Sequence, residues 1–191
     1  MKIVDFMVDS QINLTGDVLE LTLEGETSAI TAQGQFVNVK LDGFFLRRPI
    51  SVCDWTENTL RIIYKVVGKG TDAMVDLQSG DLLELLTGLG NGYNLEKSGD
   101  APLLLGGGVG VPPLYGLAKR LRAQGKDVTA VLGFNTQKEV FYEKQFAALG
   151  VKTIVTTADG SYGERASSPP PWKSWTTPIF IPAAPCPCSG R

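Results

Sequence analysis

A glycine-rich segment in the middle of the chain has the residue types best suited to hold a ligand. It follows three leucines and contains Gly106, Gly107, Gly108 and Gly110, with Pro112 and Pro113 directly after it. Glycine has no Cβ, so the backbone can turn tightly and approach a ligand closely. The two prolines are typical of the first turn of a helix, and N–H groups at a helix start attract phosphate. The segment predicts a nucleotide-binding turn, and a plain tight turn between a strand and a helix is the alternative.

Two segments in the first half of the chain have residue types that suit a cofactor. The first consists of Arg48, Pro49, Ile50 and Ser51. Its guanidinium suits bidentate binding of a diphosphate, and its hydroxyl can donate to a ring nitrogen. The second consists of Ile63, Tyr64, Lys65, Gly70 and Thr71. Its aromatic ring suits stacking on a flat ring, and its Gly-Thr pair suits a helix start that holds a phosphate. A solvated turn and a simple helix N-cap are the respective alternatives.

The composition argues against several classes of function. None of the 191 residues is a histidine, which excludes Ser-His-Asp and Cys-His catalysis and histidine-ligated metals. The net charge of −2 argues against nucleic acid as a partner. No apolar run approaches the roughly 20 residues that span a bilayer. The three cysteines do not make a disulfide framework, so we expect a reducing, cytoplasmic location.

Residues 1–97 are predicted to form a small antiparallel β-barrel. The evidence is alternation of apolar and polar residues in short runs that are separated by turns. The predicted strands cover residues 18–23, 35–41, 50–55, 60–67 and 82–86. The third and fourth of these flank a four-residue turn and therefore predict a hairpin. Several short strands with frequent turns are typical of a closed barrel, and a short helical stretch is expected over residues 72–77.

Residues 98–163 are predicted to form a partial Rossmann-like α/β domain. Predicted strands and helices alternate here, at residues 103–105, 114–121, 128–132, 138–149 and 151–155. This order predicts a parallel sheet that binds its ligand at the carboxyl ends of the strands, where the glycine turn falls. The segment after the second strand, Gly133-Phe134-Asn135, offers no clear acid for a ribose, so the choice between NADH and NADPH stays open.

The order of the motifs along the chain resembles one protein family. The segments are Arg48-Pro49-Ile50-Ser51, Ile63-Tyr64-Lys65, Gly70-Thr71, Leu89-Gly90-Asn91-Gly92-Tyr93 and Gly106-Gly107-Gly108-Val109-Gly110-Val111-Pro112-Pro113-Leu114-Tyr115. In this order they resemble the electron transfer subunits of NAD-dependent dihydroorotate dehydrogenase, which belong to the ferredoxin reductase superfamily. The resemblance covers residues 1 to about 163.

The resemblance implies an FAD-binding barrel followed by a nicotinamide-binding domain. It implies that Arg48 to Ser51 hold the flavin and its diphosphate, and that Ile63 to Lys65 line the FAD. It further implies that Gly70 and Thr71 offer N–H groups to the pyrophosphate and that Gly106 to Pro113 lie under NAD(H). Since the cofactors carry the hydride chemistry, no catalytic acid or base and no metal ligand is expected among these residues.

The family passes electrons from NADH to FAD, then to a [2Fe-2S] cluster and to the FMN of a dihydroorotate dehydrogenase catalytic subunit in pyrimidine (UMP) biosynthesis. The resemblance therefore implies such a partner, in a cytoplasmic heterotetramer. Two alternatives remain at this point. One is a subunit of a ferredoxin:NADP or sulfide oxidoreductase, and the other is a non-catalytic flavin-binding module.

Residues 164–191 depart from the family. Seven of the chain's 11 prolines lie there, a density that predicts an extended or disordered tail. The family continues with a Cys-Gly-Pro-x-Pro-Met motif and a cysteine-rich cluster module, whereas Cys186 and Cys188 offer two of the four thiolates that a cluster needs. We hypothesise that the tail is a frameshifted reading, because the codons around residues 183–189, read from their third bases, permit Cys-Gly-Pro-Leu-Pro-Met-Leu.

Overall fold

The computed structural model of the protein describes residues 1–165, which form two sheets and three α-helices. The first part contains β1 (Lys2–Asn13), β2 (Val18–Glu24), β3 (Phe36–Val39), β4 (Arg48–Trp55), β5 (Thr59–Lys65), α1 (Lys69–Ala73) and β6 (Leu82–Leu89). The second part contains β7 (Leu103–Gly107), α2 (Val111–Ala123), β8 (Thr129–Phe134), α3 (Glu143–Ala148), β9 (Lys152–Thr157) and β10 (Glu164–Arg165).

The first sheet is a closed antiparallel barrel with the strand order β1-β2-β5-β4-β3-β6. Alternate residues of each strand point inward and fill the barrel with fully buried apolar side chains. These include Phe6, Leu21, Leu23, Leu60, Ile62 and Leu85. The predicted barrel is confirmed, and the hairpin of β4 and β5 is present with Trp55 opposite Leu60.

Strand β1 was not predicted, although it is 12 residues long. Its inward positions include Phe6 and Val8, which are completely buried. Its outward positions also carry large apolar side chains, with Ile3 59% and Met7 41% exposed. Because both faces carry apolar residues, the alternation that marks a half-buried strand is lost from the sequence.

The second sheet is parallel, with the strand order β10-β9-β8-β7. Its central register places Leu105 beside Val131, and Val131 beside Ile154. Helix α2 connects β7 to β8 and packs on β7 as well as on β4 of the barrel. The predicted Rossmann-like order of strands is therefore confirmed. Gly106 and Gly107 belong to β7 itself, so the turn proper begins at Gly108.

Two predicted helices differ from the structure. Residues 138–149 do not form one helix: a 3₁₀ turn covers Gln137–Glu139, and α3 begins only at Glu143. The cause is tertiary, since Phe141 and Tyr142 are buried in the core between the two sheets and hold the chain out of helical geometry. Similarly, helix α1 lies at Lys69–Ala73 instead of residues 72–77.

The predicted tail begins at residue 164, but Glu164 and Arg165 pair with β9 opposite Thr156 and Thr157. The rest of that segment lies outside the described residues, as do the cysteine pair at 186 and 188 and the hypothesised frameshift. No helix within residues 1–165 is long and apolar enough to cross a membrane.

Candidate functional site

Arg48, at the start of β4, packs directly over Gly70 of helix α1. A Cβ built on Gly70 would lie 1.8 Å from Arg48 Nε, so only glycine fits at position 70 while Arg48 keeps this position. The guanidinium carbon stands 5.0 Å from the centre of the Phe44 ring, which is a cation–π distance. Arg48 Nη1 donates to the backbone oxygen of Leu46 at 2.5 Å. The structure therefore brings two predicted site residues together and fixes the guanidinium at the surface of the barrel.

Thr71 shapes the turn that leads into α1. Its Oγ1 accepts hydrogen bonds from the backbone N–H groups of Val67 at 2.9 Å and Gly68 at 3.3 Å. The same hydroxyl donates to the Gly68 oxygen at 3.1 Å. Since the side chain is engaged within the turn, the predicted contribution of Thr71 to a diphosphate rests on its backbone N–H, which belongs to the first turn of the helix.

The other predicted residues of β4 alternate between solvent and core. Pro49 and Ser51 are exposed, whereas Ile50 is buried inside the barrel. The strand continues to Val52, which pairs with Ile62 of β5. The Ser51 hydroxyl therefore lies on an open outer face of the barrel, where a ring nitrogen can reach it.

The predicted residues of β5 point in different directions. Ile63 faces the parallel sheet and is part of its apolar core. Tyr64 points into the barrel, where it is 3% exposed and donates its hydroxyl to Gln11 Oε1 at 3.0 Å. Burial raises the pKa of Tyr64 to about 12. Lys65 forms an ion pair with Asp17, with 3.0 Å between Nζ and Oδ2.

The expectation that the Tyr64 ring stacks on a flat cofactor is wrong for this structure, because that ring belongs to the barrel core. Strand alternation is the cause, since neighbouring residues on a strand face opposite sides. A contact of Tyr64 with a cofactor would have to use its backbone.

The glycine turn is built for close approach of the backbone. A Cβ on Gly106 would lie 2.6 Å from Leu114 Cδ1 and 3.1 Å from the Gly110 oxygen. Gly108 has a φ of 49°, in the left-handed region that favours glycine. Pro113 is buried in the first turn of α2, as predicted. The 3₁₀ turn Gly108–Gly110 packs against β5, so the glycine turn lies next to the strand that carries Ile63 to Lys65.

A polar contact joins the two sheets, and no motif in the sequence indicates it. The Tyr142 hydroxyl donates to Glu20 Oε2 at 2.6 Å and accepts from Cys53 Sγ at 3.7 Å. Glu20 Oε1 also lies 3.3 Å from Arg61 Nε. Burial raises the pKa of Tyr142 and raises that of the Cys53 thiol to about 12, so both groups stay protonated and can donate at neutral pH. No spacing in the sequence signals this contact, because its members come from four separate segments.

Helix α2 lies against β4 at a distance that only glycine permits. A Cβ on Gly116 would lie 2.5 Å from the backbone oxygen of Cys53. One turn further along, Lys119 Nζ forms an ion pair with Asp54 Oδ2 at 2.6 Å. These contacts set the position of the glycine turn relative to the barrel, because α2 begins directly after that turn.

Proteins of known name align with most of this chain. A protein from Bacillus caldolyticus is 46% identical over 164 residues, which are 82% of this chain and 63% of the relative. A protein from Fusobacterium nucleatum is 41% identical over 174 residues, which are 86% of this chain and 66% of the relative. Both are named as the electron transfer subunit of dihydroorotate dehydrogenase B (NAD(+)). The chain belongs to this family. No protein-family model matches it.

This member of the family spans between 63% and 66% of the length of those relatives. Solved structures agree with the fold. The NADH-dependent reduced ferredoxin-NADP oxidoreductase is 30% identical, with a TM-score of 0.75 over 84% of this chain and 59% of the other. A ferredoxin NADP⁺ reductase from Neisseria gonorrhoeae, solved with bound FAD and NADP, has a TM-score of 0.73 over 86% of this chain and 72% of the other. At 17% identity, the latter supports the fold alone.

The described part of this family member does not fit an iron–sulfur cluster. Within residues 1–165 there is no group of three or more His, Cys, Asp or Glu side chains that could hold a metal ion. Cys53, the free cysteine in that range, is buried. A [2Fe-2S] cluster needs four ligands, which the described residues do not offer.

The Tyr142–Glu20 contact gives a test of how firmly the two sheets are joined in this family member. Replacing Tyr142 with phenylalanine is expected to lower the free energy of unfolding by about 1.5 kcal/mol, because the partly buried carboxylate of Glu20 loses its hydroxyl donor. Urea denaturation measures the change. The matched control is Tyr162→Phe, which removes an exposed hydroxyl bonded to Glu143 and should change the stability by less than about 0.5 kcal/mol. Equal losses in the two variants would contradict the assigned role of Tyr142.

Proposed function

We propose that this chain binds FAD on the outer face of its barrel and NAD(H) at its glycine turn, and passes reducing equivalents from NADH to the flavin. The observation that carries the proposal is the packing of the turn Gly108–Gly110 on β5. This contact brings the two candidate surfaces together. The chain is also 46% identical to a protein named as an electron transfer subunit. Residues 1–97 would form the flavin domain and residues 98–163 the nicotinamide domain.

The residues of the barrel would hold the flavin in three ways. The fixed guanidinium of Arg48 would bind the diphosphate, with the first-turn N–H groups of Gly70 and Thr71 beside it. The exposed hydroxyl of Ser51 would donate to the ring system, with Pro49 next to it on the open face. The backbone of β5 from Ile63 to Lys65 would follow the edge of the flavin. The fit of Arg48 over Gly70 supports this arrangement, since it leaves no space for a Cβ.

The glycine turn would hold the dinucleotide. Gly106 and Gly107 leave the end of β7 without side chains, and Gly108 to Gly110 turn the backbone toward the start of α2. Pro113 supports that turn from within the helix. When bound, the nicotinamide and the flavin supply the hydride and electron chemistry. The chain's own residues would bind and orient both cofactors.

The name of the relatives supports a partner for this chain. We propose a catalytic subunit with FMN that oxidises dihydroorotate, in the pyrimidine pathway of the cytoplasm. A heterotetramer of the two kinds of subunit is the assembly that we expect. Transfer to that subunit would depend on a cluster for which the described residues offer no ligands.

The visible spectrum of the purified chain tests the proposal. We expect flavin absorption bands after supply of FAD, and bleaching of these bands when NADH is added without oxygen. Reduction of a dye, but not of the catalytic subunit, should follow under the same conditions. A chain that stays colourless with FAD present would contradict the flavin assignment. Strong reduction of the catalytic subunit without an added cluster would contradict the electron path.

A second candidate is a subunit of a ferredoxin:NADP oxidoreductase. The observation in its favour is the 30% identity to the NADH-dependent reduced ferredoxin-NADP oxidoreductase. The same spectral assay separates the two candidates when it is repeated with ferredoxin as the acceptor. Transfer of electrons to ferredoxin would favour the second candidate, whereas reduction of a dye without reduction of ferredoxin would favour the first.

A further inference from the structure

We propose that Phe45, in the loop between β3 and β4, stacks on the adenine of FAD and makes the flavin site prefer this dinucleotide to FMN. This inference rests on the proposed flavin site. The Phe45 side chain is 100% exposed, and Leu46 beside it is 66% exposed. An aromatic ring in open solvent offers a large apolar face that a second flat ring can cover. A purine base suits this face, because every base has a π-face on which an aromatic side chain can stack.

The order of the proposed contacts along β4 sets the direction in which FAD would lie. Ser51 would contact the flavin ring, and Arg48, the first residue of the strand, would bind the diphosphate. The diphosphate of FAD joins the flavin half to the adenosine half, so the adenosine would leave Arg48 on the side away from Ser51. On that side the chain runs back from the start of β4 to Leu46 and Phe45. The adenine would therefore lie at the loop that carries the exposed aromatic ring.

The Arg48 guanidinium is attached to this loop by two contacts. Its carbon lies 5.0 Å from the centre of the Phe44 ring, and its Nη1 donates to the backbone oxygen of Leu46 at 2.5 Å. Phe45 stands between these two residues in the sequence. A group that extends from a diphosphate held by Arg48 is therefore within reach of the Phe45 side chain.

The rest of the loop is held in place by the barrel. Leu41 is buried in the barrel core, and Phe44 packs against the same core. The Phe44 N–H donates to the Leu41 oxygen at 3.2 Å. At the other end of the loop, Arg47 forms an ion pair with Glu84 of β6. Because the loop is anchored on both sides of Phe45, its backbone is ordered before a ligand arrives, which lowers the entropy cost of stacking.

Calorimetric titration of the full apoprotein with FAD and with FMN tests the inference, since FMN has the flavin ring but no adenosine. Phe45→Ala should weaken FAD binding by about tenfold, the loss expected for one base–aromatic stack, and should change FMN binding by less than about twofold. Phe45→Trp should keep the native affinity for FAD, whereas Phe45→Leu, which is apolar but not flat, should lose most of what Phe45→Ala loses. The matched control is Leu82→Ala, which removes a side chain that is 73% exposed on β6 and should leave both affinities unchanged.

The outcomes separate this inference from the proposed function. A native chain that binds FMN as tightly as FAD, or a Phe45→Ala chain that keeps the native affinity for FAD, would overturn the role of Phe45 and leave the flavin site standing. Equal losses for FAD and FMN in Phe45→Ala would also overturn it, since the effect would then not concern the adenosine half. Failure of the native chain to bind either flavin would overturn the flavin site and this inference together.

Discussion

Replacing Arg48 with alanine is expected to weaken FAD binding by about 100-fold. In the proposed site the Arg48 guanidinium binds the diphosphate, and charge-assisted hydrogen bonds of this kind contribute about 1.5–3 kcal/mol. Loss of about 2.7 kcal/mol corresponds to a factor of about 100 in the dissociation constant. Quenching of FAD fluorescence on titration with the apoprotein measures the effect.

The neighbouring Arg47 provides the matched control. Its Nη2 forms an ion pair with the Glu84 side-chain Oε1 on β6, and its Nη1 donates to the backbone oxygen of Glu84 at 3.5 Å. The Arg47 side chain is therefore paired with β6 and not available to the diphosphate. Arg47→Ala should change the affinity for FAD by less than about threefold. Equal losses of affinity in the two variants would show that the total positive charge matters instead of the position of Arg48, which would contradict the assigned diphosphate site.

Gly70→Ala should reproduce most of the effect of Arg48→Ala. The added Cβ would overlap Arg48 Nε, so the guanidinium must leave its position over the helix. The charge is retained in this variant and only its place changes. A Gly70→Ala protein that binds FAD as tightly as the native chain would contradict the proposed diphosphate site at Arg48 and Gly70.

The second large effect is expected from Gly116→Ala in helix α2. Helix propensity by itself predicts a gain of about 1 kcal/mol for this change. The structure predicts the opposite sign, because the new Cβ would lie 2.5 Å from the Cys53 oxygen, a backbone atom that cannot rotate away. We expect a loss of about 2 kcal/mol in the free energy of unfolding, the usual cost of overpacking. Urea denaturation followed by circular dichroism measures it.

The control for this prediction is Gly16→Ala, since a Cβ at Gly16 meets no atom within 4 Å. It should change the stability by less than about 0.5 kcal/mol. If the proposed function holds, Gly116→Ala should also slow the reduction of bound FAD by NADH. The reason is that a shift of α2 would change the distance between the glycine turn and β5. A stabilised Gly116→Ala protein would show that α2 does not press on β4 in solution.

The periodic parts of the fold could be predicted from the sequence. Alternation in β2 and β3, the hairpin of β4 and β5, and the strand-helix order after Leu103 are local patterns that reflect which side of an element is buried. The same holds for the glycine turn, where a run of glycines before two prolines is compatible with few backbone conformations. The motifs in their order were also sufficient to indicate the family, which the relatives confirm.

The positions of individual side chains could not be predicted in the same way. Tyr64 was expected to face a cofactor, yet it lies in the barrel core beside residues of other strands. The helix expected over residues 138–149 is interrupted by Tyr142, which has a φ of 68°. This left-handed conformation is strained for a non-glycine residue, and the packing of its ring and the bond to Glu20 offset the cost.

The sequence by itself determined the two kinds of sheet, the placement of the glycine turn at the end of a parallel strand, and the family. Only the tertiary structure decided that Arg48 lies over Gly70, that Gly116 meets Cys53, and that Tyr142 reaches Glu20 across 122 residues of chain. The physical reason is the separation along the chain over which each kind of interaction acts. Hydrophobic period and turn chemistry act between neighbours along the chain, whereas close packing and buried hydrogen bonds act between segments that meet only when the chain has folded.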